Sequence, residues 1–486
     1  MIDEVAAAPA HPPAFRRSLS GFGVIILTLS VLSPGVSVLV SGGSILGAAG
    51  TWTALAFVLG SAVCYIQTVM AAELGAAYPT AGYDYAAIGH AVGDWAGATT
   101  YIASIVSVPL FINTSAVGIA IYLQPFGIPL DPNGTTFVVM AVVTAVALLN
   151  IRANESITGI FMLIECVALL LIAGLGAAHA QPHAAAAVLH PMRVADGAWV
   201  ATGIAIGGIA VNNASWALAG SSQALMFSED MKHPRTIGRI IMLSFAITVV
   251  LETAPMVGVI IGSHDLRAVL GSAAPFETFL SQFLPAFGLK LVSLSIAIAI
   301  FNACLAGVVG TGRTVFAMGR TRLFAAPVNR ALLRMIPKTS APWVAILLIA
   351  VTAALATYIP LYFKVLLLSG NYTFIAFFYT WGVFKGRRSG RTGQGTYRAP
   401  AYPLIALLGV LIVCGEVVVL WLDPESGRKS LFVCAGVYAL SYCYYRFILM
   451  RRPGGWVMTG PEDIDAATRQ VGDAAGAIAE AKPMPS

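Results

Sequence analysis

Apolar residues in this chain come in long blocks divided by short polar stretches, and most blocks match the roughly 20 residues a helix needs to cross hydrocarbon. The pattern predicts twelve helices, at 22–47, 53–76, 97–123, 135–150, 157–178, 200–228, 237–262, 289–318, 342–359, 363–384, 402–422 and 430–450. A shorter stretch at 275–284 reads as an extracellular re-entrant or surface helix, and 323–335 as a short helix on the opposite face. The chain then divides into a cytosolic N-terminal segment (1–20), two five-helix blocks (21–180 and 198–385), two further helices (400–450) and a tail (451–486). That tail is polar and rich in Ala, Gly and Pro, a composition expected to stay flexible. The fold class is an all-α polytopic membrane protein.

Each five-helix block opens on an interrupted helix. The first contains "LSVLSPGVSVLV", with Ser33, Pro34 and Gly35 near mid-membrane. Pro34 has no N–H and clashes with the preceding turn, and Gly35 permits unusual dihedrals, so the helix should kink or unwind. The sixth helix carries "SWALAGSSQALMFSEDMKHPRTI", with Ala219, Gly220, Ser221 and Ser222 in its middle. For one such helix a simple kink is the economical account. Two matched interruptions, in helices that run in opposite directions by span count, are the pattern of an inverted-repeat transporter. Exposed backbone groups at that depth need protein or a water-filled cavity around them.

Composition narrows the class. Only 10% of residues are charged and 58% are hydrophobic, with a mean hydropathy of +0.82, which excludes a soluble protein of this size. The net charge of +6 does not indicate nucleic acid, because no soluble domain gathers the basic residues. About 22 of the 28 lie on one side of the predicted helices, and the positive-inside rule makes that side cytoplasmic, with both termini there, in the cell's inner (plasma) membrane. The six cysteines all lie in apolar blocks and none forms a CxxC pair, which argues against disulfides and structural zinc. No cleavable leader is apparent before the first block. The seven histidines fall at helix ends, in loops or in the tail, so neither a metal site, nor another cofactor, nor an intramembrane enzyme is expected.

Four segments carry a family resemblance: "AAELGAAYPTAGYDYAAIGHAVG" after the second helix, "NIRANESITGIFMLIECVALLLI" at the fourth-to-fifth junction, "SEDMKHPRTIGRII" closing the sixth, and "FNACLAGVVGTGRTVFAMGRTRLF" ending the eighth. In this order they resemble the amino acid–polyamine–organocation superfamily over roughly residues 20–450, nearest its amino acid/choline-like branch. The resemblance implies a LeuT-type fold, a five-plus-five inverted repeat with discontinuous first and sixth helices. It implies that backbone N–H groups of Gly35, Val36 and Ser37 meet a substrate carboxylate. Carbonyls of Leu32, Trp216 and Ala219 would meet its amine, within a site that includes Ser33, Pro34 and Gly220. The chain departs from the pattern after Gly220, where Ser221 and Ser222 replace a bulky aromatic and an acid.

Acids within apolar helices cost about 2.5–3.5 kcal/mol each if ionised at the centre, so they need a reason. Glu165 lies at roughly 12 Å depth in the fifth helix, at 1.5 Å per residue, where several relatives carry a lysine. Glu165 and Glu252 are the candidates for carrying a coupled proton; Glu416, in the eleventh helix, reads as snorkelling or as an oligomer contact. Asn302 and Tyr372, beside Asn371, are gate candidates, though interhelical glue is the commoner role of such an Asn and packing that of such a Tyr. Glu73, Tyr78 and Asp84 are placed in the loop after the second helix, where pairing with Arg residues of the sixth–seventh or eighth–ninth loops would hold an inward gate. The expected function is a secondary active transporter importing an amino acid or small amine, driven by protons. An amine or amino acid exchanger, or a sensor of the same fold, is the alternative.

Overall fold

The computed structural model describes residues 15–466 apart from 124–125, 128–129, 183–185, 187–188, 273 and 454. Its first apolar block is not one helix. α1 (Gly21–Leu32) is capped by Ser20, whose hydroxyl accepts from the Gly23 N–H at 3.1 Å, the usual way to satisfy an orphan first-turn donor. It ends at Ser33, which takes a left-handed conformation (φ 51°). Pro34, whose missing N–H costs nothing at a first helical position, opens α2 (Pro34–Val36). A wide π-turn segment (Ser37–Gly42) then leads into α3 (Gly43–Ala49).

Next come α4 (Trp52–Ala77), α5 (Tyr83–Val92), α6 (Asp94–Leu123), α7 (Pro132–Ala147) and α8 (Ile151–Ala178). An antiparallel hairpin of β1 (Met192–Ala195) and β2 (Ala198–Ala201) precedes α9 (Ile204–Leu218). The remaining helices are α10 (Ile237–Gly262), α11 (Leu266–Leu270), α12 (Pro275–Leu280), α13 (Ala286–Arg320), α14 (Ala326–Leu332), α15 (Trp343–Leu355), α16 (Leu361–Arg388), α17 (Leu404–Leu422) and α18 (Gly427–Phe447). Among the described residues nine helices are long and apolar enough to cross a membrane; Pro132–Ala147 and Trp343–Tyr358 are shorter. The sixth predicted block is divided, and its helical part begins only after the hairpin.

Burial sorts the helices into centre and rim. The apolar cores of Gly21–Ala49 and Ala286–Arg320 are 83% buried, whereas those of Leu404–Leu422 and Gly427–Arg451 are 28% and 17% buried. The first and eighth predicted blocks are therefore the middle of the molecule, and the last two helices lie outside it. α1 packs on α8, α10 and α13, and α9 packs on α4. α8 and α10 meet backbone to backbone: a Cβ on Gly176 would lie 2.2 Å from the Gly258 carbonyl oxygen, and one on Gly262 would lie 2.4 Å from the Gly176 Cα. Small residues permit this approach, and close packing is what joins helices where the solvent is itself apolar.

Four expectations change. The hairpin replaces the predicted start of the sixth helix, because Asp196 and Gly197 both take positive φ (49° and 72°), the two-residue turn that Asp-Gly favours. α13 runs past the predicted end at 318 to include Arg320, and the side chains of Arg313 and Arg320, counted among the basic residues of the cytoplasmic side, are both buried against acids. Glu416 faces inward, 5% exposed, and accepts from the Gln67 amide at 2.6 Å, so it neither snorkels nor meets lipid. The start of the tail is docked: Trp456 meets Tyr85 edge-on at 6.4 Å, Val457 N–H donates to the Thr321 carbonyl, and Asp465 pairs with Arg17. Its apolar Trp456, Met458 and Ile464 supply the contact area; the expectation for 467–486 and for 1–14 falls outside the described residues.

Candidate functional site

Both helix interruptions face a common cavity. At the first, Ser33 turns the chain so that the Gly35 N–H points at α8 and donates to Glu165 Oε1 at 2.5 Å. The Ser33 hydroxyl donates to the same oxygen at 3.0 Å. At the second, α9 stops at Leu218, Ala219 is extended, and Gly220 has φ 132°, a conformation open to glycine and costly for a side-chain-bearing residue. The chain continues as a ten-residue 3₁₀ segment, Ser221–Asp230, far longer than the usual three or four residues of that tighter helix. The Ser37 hydroxyl donates to the Ala217 carbonyl at 3.1 Å and so ties one interruption to the other.

The inner cavity has a volume of about 240 Å³. Leu32, Val36 and Ser37 come to it from the first interruption, and Trp216, Ala219, Gly220, Ser221 and Ser222 from the second. The predicted residues Ser33, Pro34 and Gly35 do not line it; the first and last are turned to Glu165 instead. Phe111, Trp216 and Tyr372 also line a wider cavity of about 790 Å³ on the hairpin side, which Arg193 of β1 borders. Tyr372 contributes a hydroxyl 3.1 Å from Ser215 Oγ.

Asp84 lies at the start of α5, lines the inner cavity and is 4% exposed. It accepts from the Tyr379 hydroxyl. Burial raises its carboxyl from the ordinary 3.8 to about 7, with the Tyr379 and Tyr83 hydroxyls acting in the opposite direction. Tyr83 precedes it at φ 54°, strain of the kind that needs support from its surroundings. Its hydroxyl reaches Ser222 Oγ at 2.9 Å. Sequence reasoning missed Tyr83, Tyr379 and Gln67; aromatic and amide residues in apolar helices give no sign of which face they present.

The other predicted residues are placed differently. Glu165 is 1% exposed and its second oxygen has no partner among the described residues; Glu252 is fully buried on α10, and neither of its oxygens has one. Asn302 donates to Ser30 Oγ at 3.0 Å and joins α13 to α1 away from the cavity. Glu73 belongs to α4, not to a loop. It is clasped by Arg387 of α16 through bonds of 2.7 and 2.6 Å and accepts from the Ala399 N–H, so its partner lies after the tenth block rather than in the expected loops. Tyr78 donates to the Arg391 carbonyl at 2.6 Å.

Two buried ion pairs that sequence reasoning did not draw lie on the face that carries the described termini. Asp230 pairs with Arg313 at 2.7 Å. Glu229 holds Arg320 through two bonds, one of 2.8 Å, and accepts from the Ala81 N–H at 2.8 Å. Backbone bonds from Ser18 and Leu19 to the Asp230 carbonyl lay the N-terminal segment across the same place. The arginines had looked like loop charges because nothing local distinguishes a paired arginine from a solvated one. No cluster of three or more His, Cys, Asp or Glu suited to a metal ion occurs among the described residues.

The amino acid permease family profile matches residues 19–440. The chain belongs to the amino acid permease family. This permease is 31% identical over 210 residues to the branched-chain amino acid permease BcaP of Lactococcus lactis, a match covering 42% of the chain and 43% of that relative's length. It is 25% identical over 356 residues to uncharacterized transporters of Mycobacterium bovis and Mycobacterium tuberculosis, covering 71% of the chain and 74% of theirs. The family is one of permeases, not of enzymes.

Proposed function

We propose that this permease is a secondary active transporter that imports an amino acid or related small amine by alternating access, driven by protons. The observation that carries the reading is the meeting of two interrupted helices at one inner cavity, flanked on one face by buried ion pairs and bordered on the other by a wider cavity. In this reading the chain crosses the inner membrane twelve times with both termini cytoplasmic, and 21–180 and 198–385 are inverted five-helix repeats. Helix ends offer the substrate backbone groups that are unused within the helices. Relative rocking of the two repeats would part the ion pairs and close the hairpin side.

Glu165 is the proton carrier in this proposal. Its Oε1 is held by Gly35 and Ser33 at the first interruption, while Oε2 is buried without a partner, which is where a proton would relieve an unpaired buried charge. Glu252, close enough to interact with Glu165 electrostatically, is the second station. The test is uptake of radiolabelled amino acids and amines into proteoliposomes, with and without an inward-acid gradient. Saturable uptake that the gradient accelerates is expected; no saturable uptake of any compound overturns the proposal.

A further inference from the structure

α17 belongs to neither five-helix block, yet it sets a buried carboxyl directly behind the wall of the inner cavity. Glu416 Oε1 accepts from the Gln67 amide at 2.6 Å. Its Oε2 is buried and has no hydrogen bond among the described residues, although the Thr373 side chain of α16 faces the carboxyl. Gln67, on α4, lines the cavity. So does Tyr372 of α16, which faces Gln67 and sets its hydroxyl 3.1 Å from Ser215 Oγ on α9, one residue before Trp216. A polar chain thus runs from a helix outside both blocks to the edge of the second interruption.

The chemistry of an amide gives this chain a use. One end of the Gln67 side chain only donates and the other only accepts. An ionised Glu416 can only accept, so it holds the NH₂ end and leaves the carbonyl oxygen as what the amide offers the cavity. A protonated Glu416 can donate, and its partner is then the Gln67 carbonyl. A half-turn about the last torsion of Gln67, which is broad and two-fold, brings the NH₂ group to the cavity instead. One proton on α17 exchanges an acceptor for a donor in the cavity wall, with no movement of the backbone.

The surroundings favour such an exchange. A buried carboxylate with one oxygen unpaired is costly, and the neutral form removes that cost. No cation holds the charge in place. α17 packs on α4, α9, α16 and α18, and the groups that face Glu416 are Gln67 and Cys64 from α4 and Tyr372 and Thr373 from α16. α9 contains no charged residue, and α18 carries its charges at its ends, as Arg428, Lys429 and Arg446.

We propose that Glu416 is a positioning residue that acts through Gln67: its protonation turns the cavity wall from accepting to donating, and so makes substrate affinity respond to pH. This rests on the transporter reading and adds to it a protonation site outside the two repeats, separate from Glu165.

The experiment is uptake by proteoliposomes of the twenty amino acids and their decarboxylated amines, each tritiated and offered singly, at pH 5.5 to 8 with equal pH on both sides. The readout is the difference between wild type and variant, since Asp84 also titrates in this range. In Glu416→Gln, which keeps the shape but carries no exchangeable charge, the ratio of KM at pH 8 to KM at pH 5.5 should differ from wild type by about tenfold, the worth of one hydrogen bond to a charged group. The maximal rate should stay within a few-fold, and an inward-acid gradient should still accelerate uptake through Glu165. Gln67→Met should give the same altered KM profile, also where Glu416→Gln does not fold, and the double variant should add nothing further. A wild-type KM profile in Glu416→Gln, or additive effects in the double variant, overturns the inference while the transporter reading survives. No saturable uptake of any compound overturns both.

Discussion

Replacing Glu229 by Gln removes one charge from a contact that joins three elements: the 3₁₀ segment that carries Glu229, α13 through Arg320, and the α4–α5 connection through Ala81. The side chains of Arg320 and Glu229 are 2% and 1% exposed, so the arginine left behind has almost no water to compensate it. Removing one partner of a buried pair costs about 3–5 kcal/mol. In a state where this face has parted, Arg320 is hydrated and the cost largely vanishes. The equilibrium between closed and open should therefore move by nearly the whole amount, a factor of about 10²–10³ at 1.4 kcal/mol per tenfold. A single cysteine at Leu225, fully buried beside this contact, reports the change in a background lacking the native cysteines. Its labelling by a maleimide should accelerate about a hundredfold or more in Glu229→Gln. Replacing both Glu229 and Arg320 by Met should recover most of the slow labelling, because no unpaired charge remains. Unchanged labelling in the single variant, with the protein still folded, would refute the claim that this pair holds the face shut.

Glu165→Gln should keep substrate binding within a few-fold while flattening the pH dependence of uptake in proteoliposomes; a wild-type pH profile would remove Glu165 from proton coupling. Gly35→Ala places a Cβ 2.9 Å from the Glu165 Cγ and Oε1, so it should displace that carboxylate and cut uptake at least about tenfold, as loss of a charge-assisted bond does, with little change in Tm. Gly220→Ala forces a side chain into φ 132° and should lower stability by about 1–2 kcal/mol, read as a drop in Tm. Asp84 titrates near 7 because it is buried, and the groups that face it are the hydroxyls of Tyr83, Tyr379 and Tyr438. Because the folded state holds that proton more tightly than the unfolded chain, the same group makes stability fall as pH rises from about 4 to 7.

The helices were legible because their causes are local. A run of apolar residues, a proline without an N–H and a glycine free to take φ 132° act within one or two turns, whatever packs nearby. The first interruption at Pro34 and the second at Gly220 were read from such signals, and the Asp196–Gly197 turn was equally available in the sequence but went unread. What the side chains meet was settled elsewhere in the chain. Glu165 finds Gly35 across 130 residues of sequence, and Glu73 finds Arg387 across 314. A buried charge and a solvated one have the same sequence; only the packing of α13 against the 3₁₀ segment turns Arg313 and Arg320 from apparent loop charges into partners. The cavity's lining depends on the same distant meetings: α5 brings Asp84 to a wall otherwise built from the two interrupted helices and their neighbours. Local sequence determines where the backbone stops being a helix, but desolvation, which makes each charge seek a partner, acts only once the fold has removed the water.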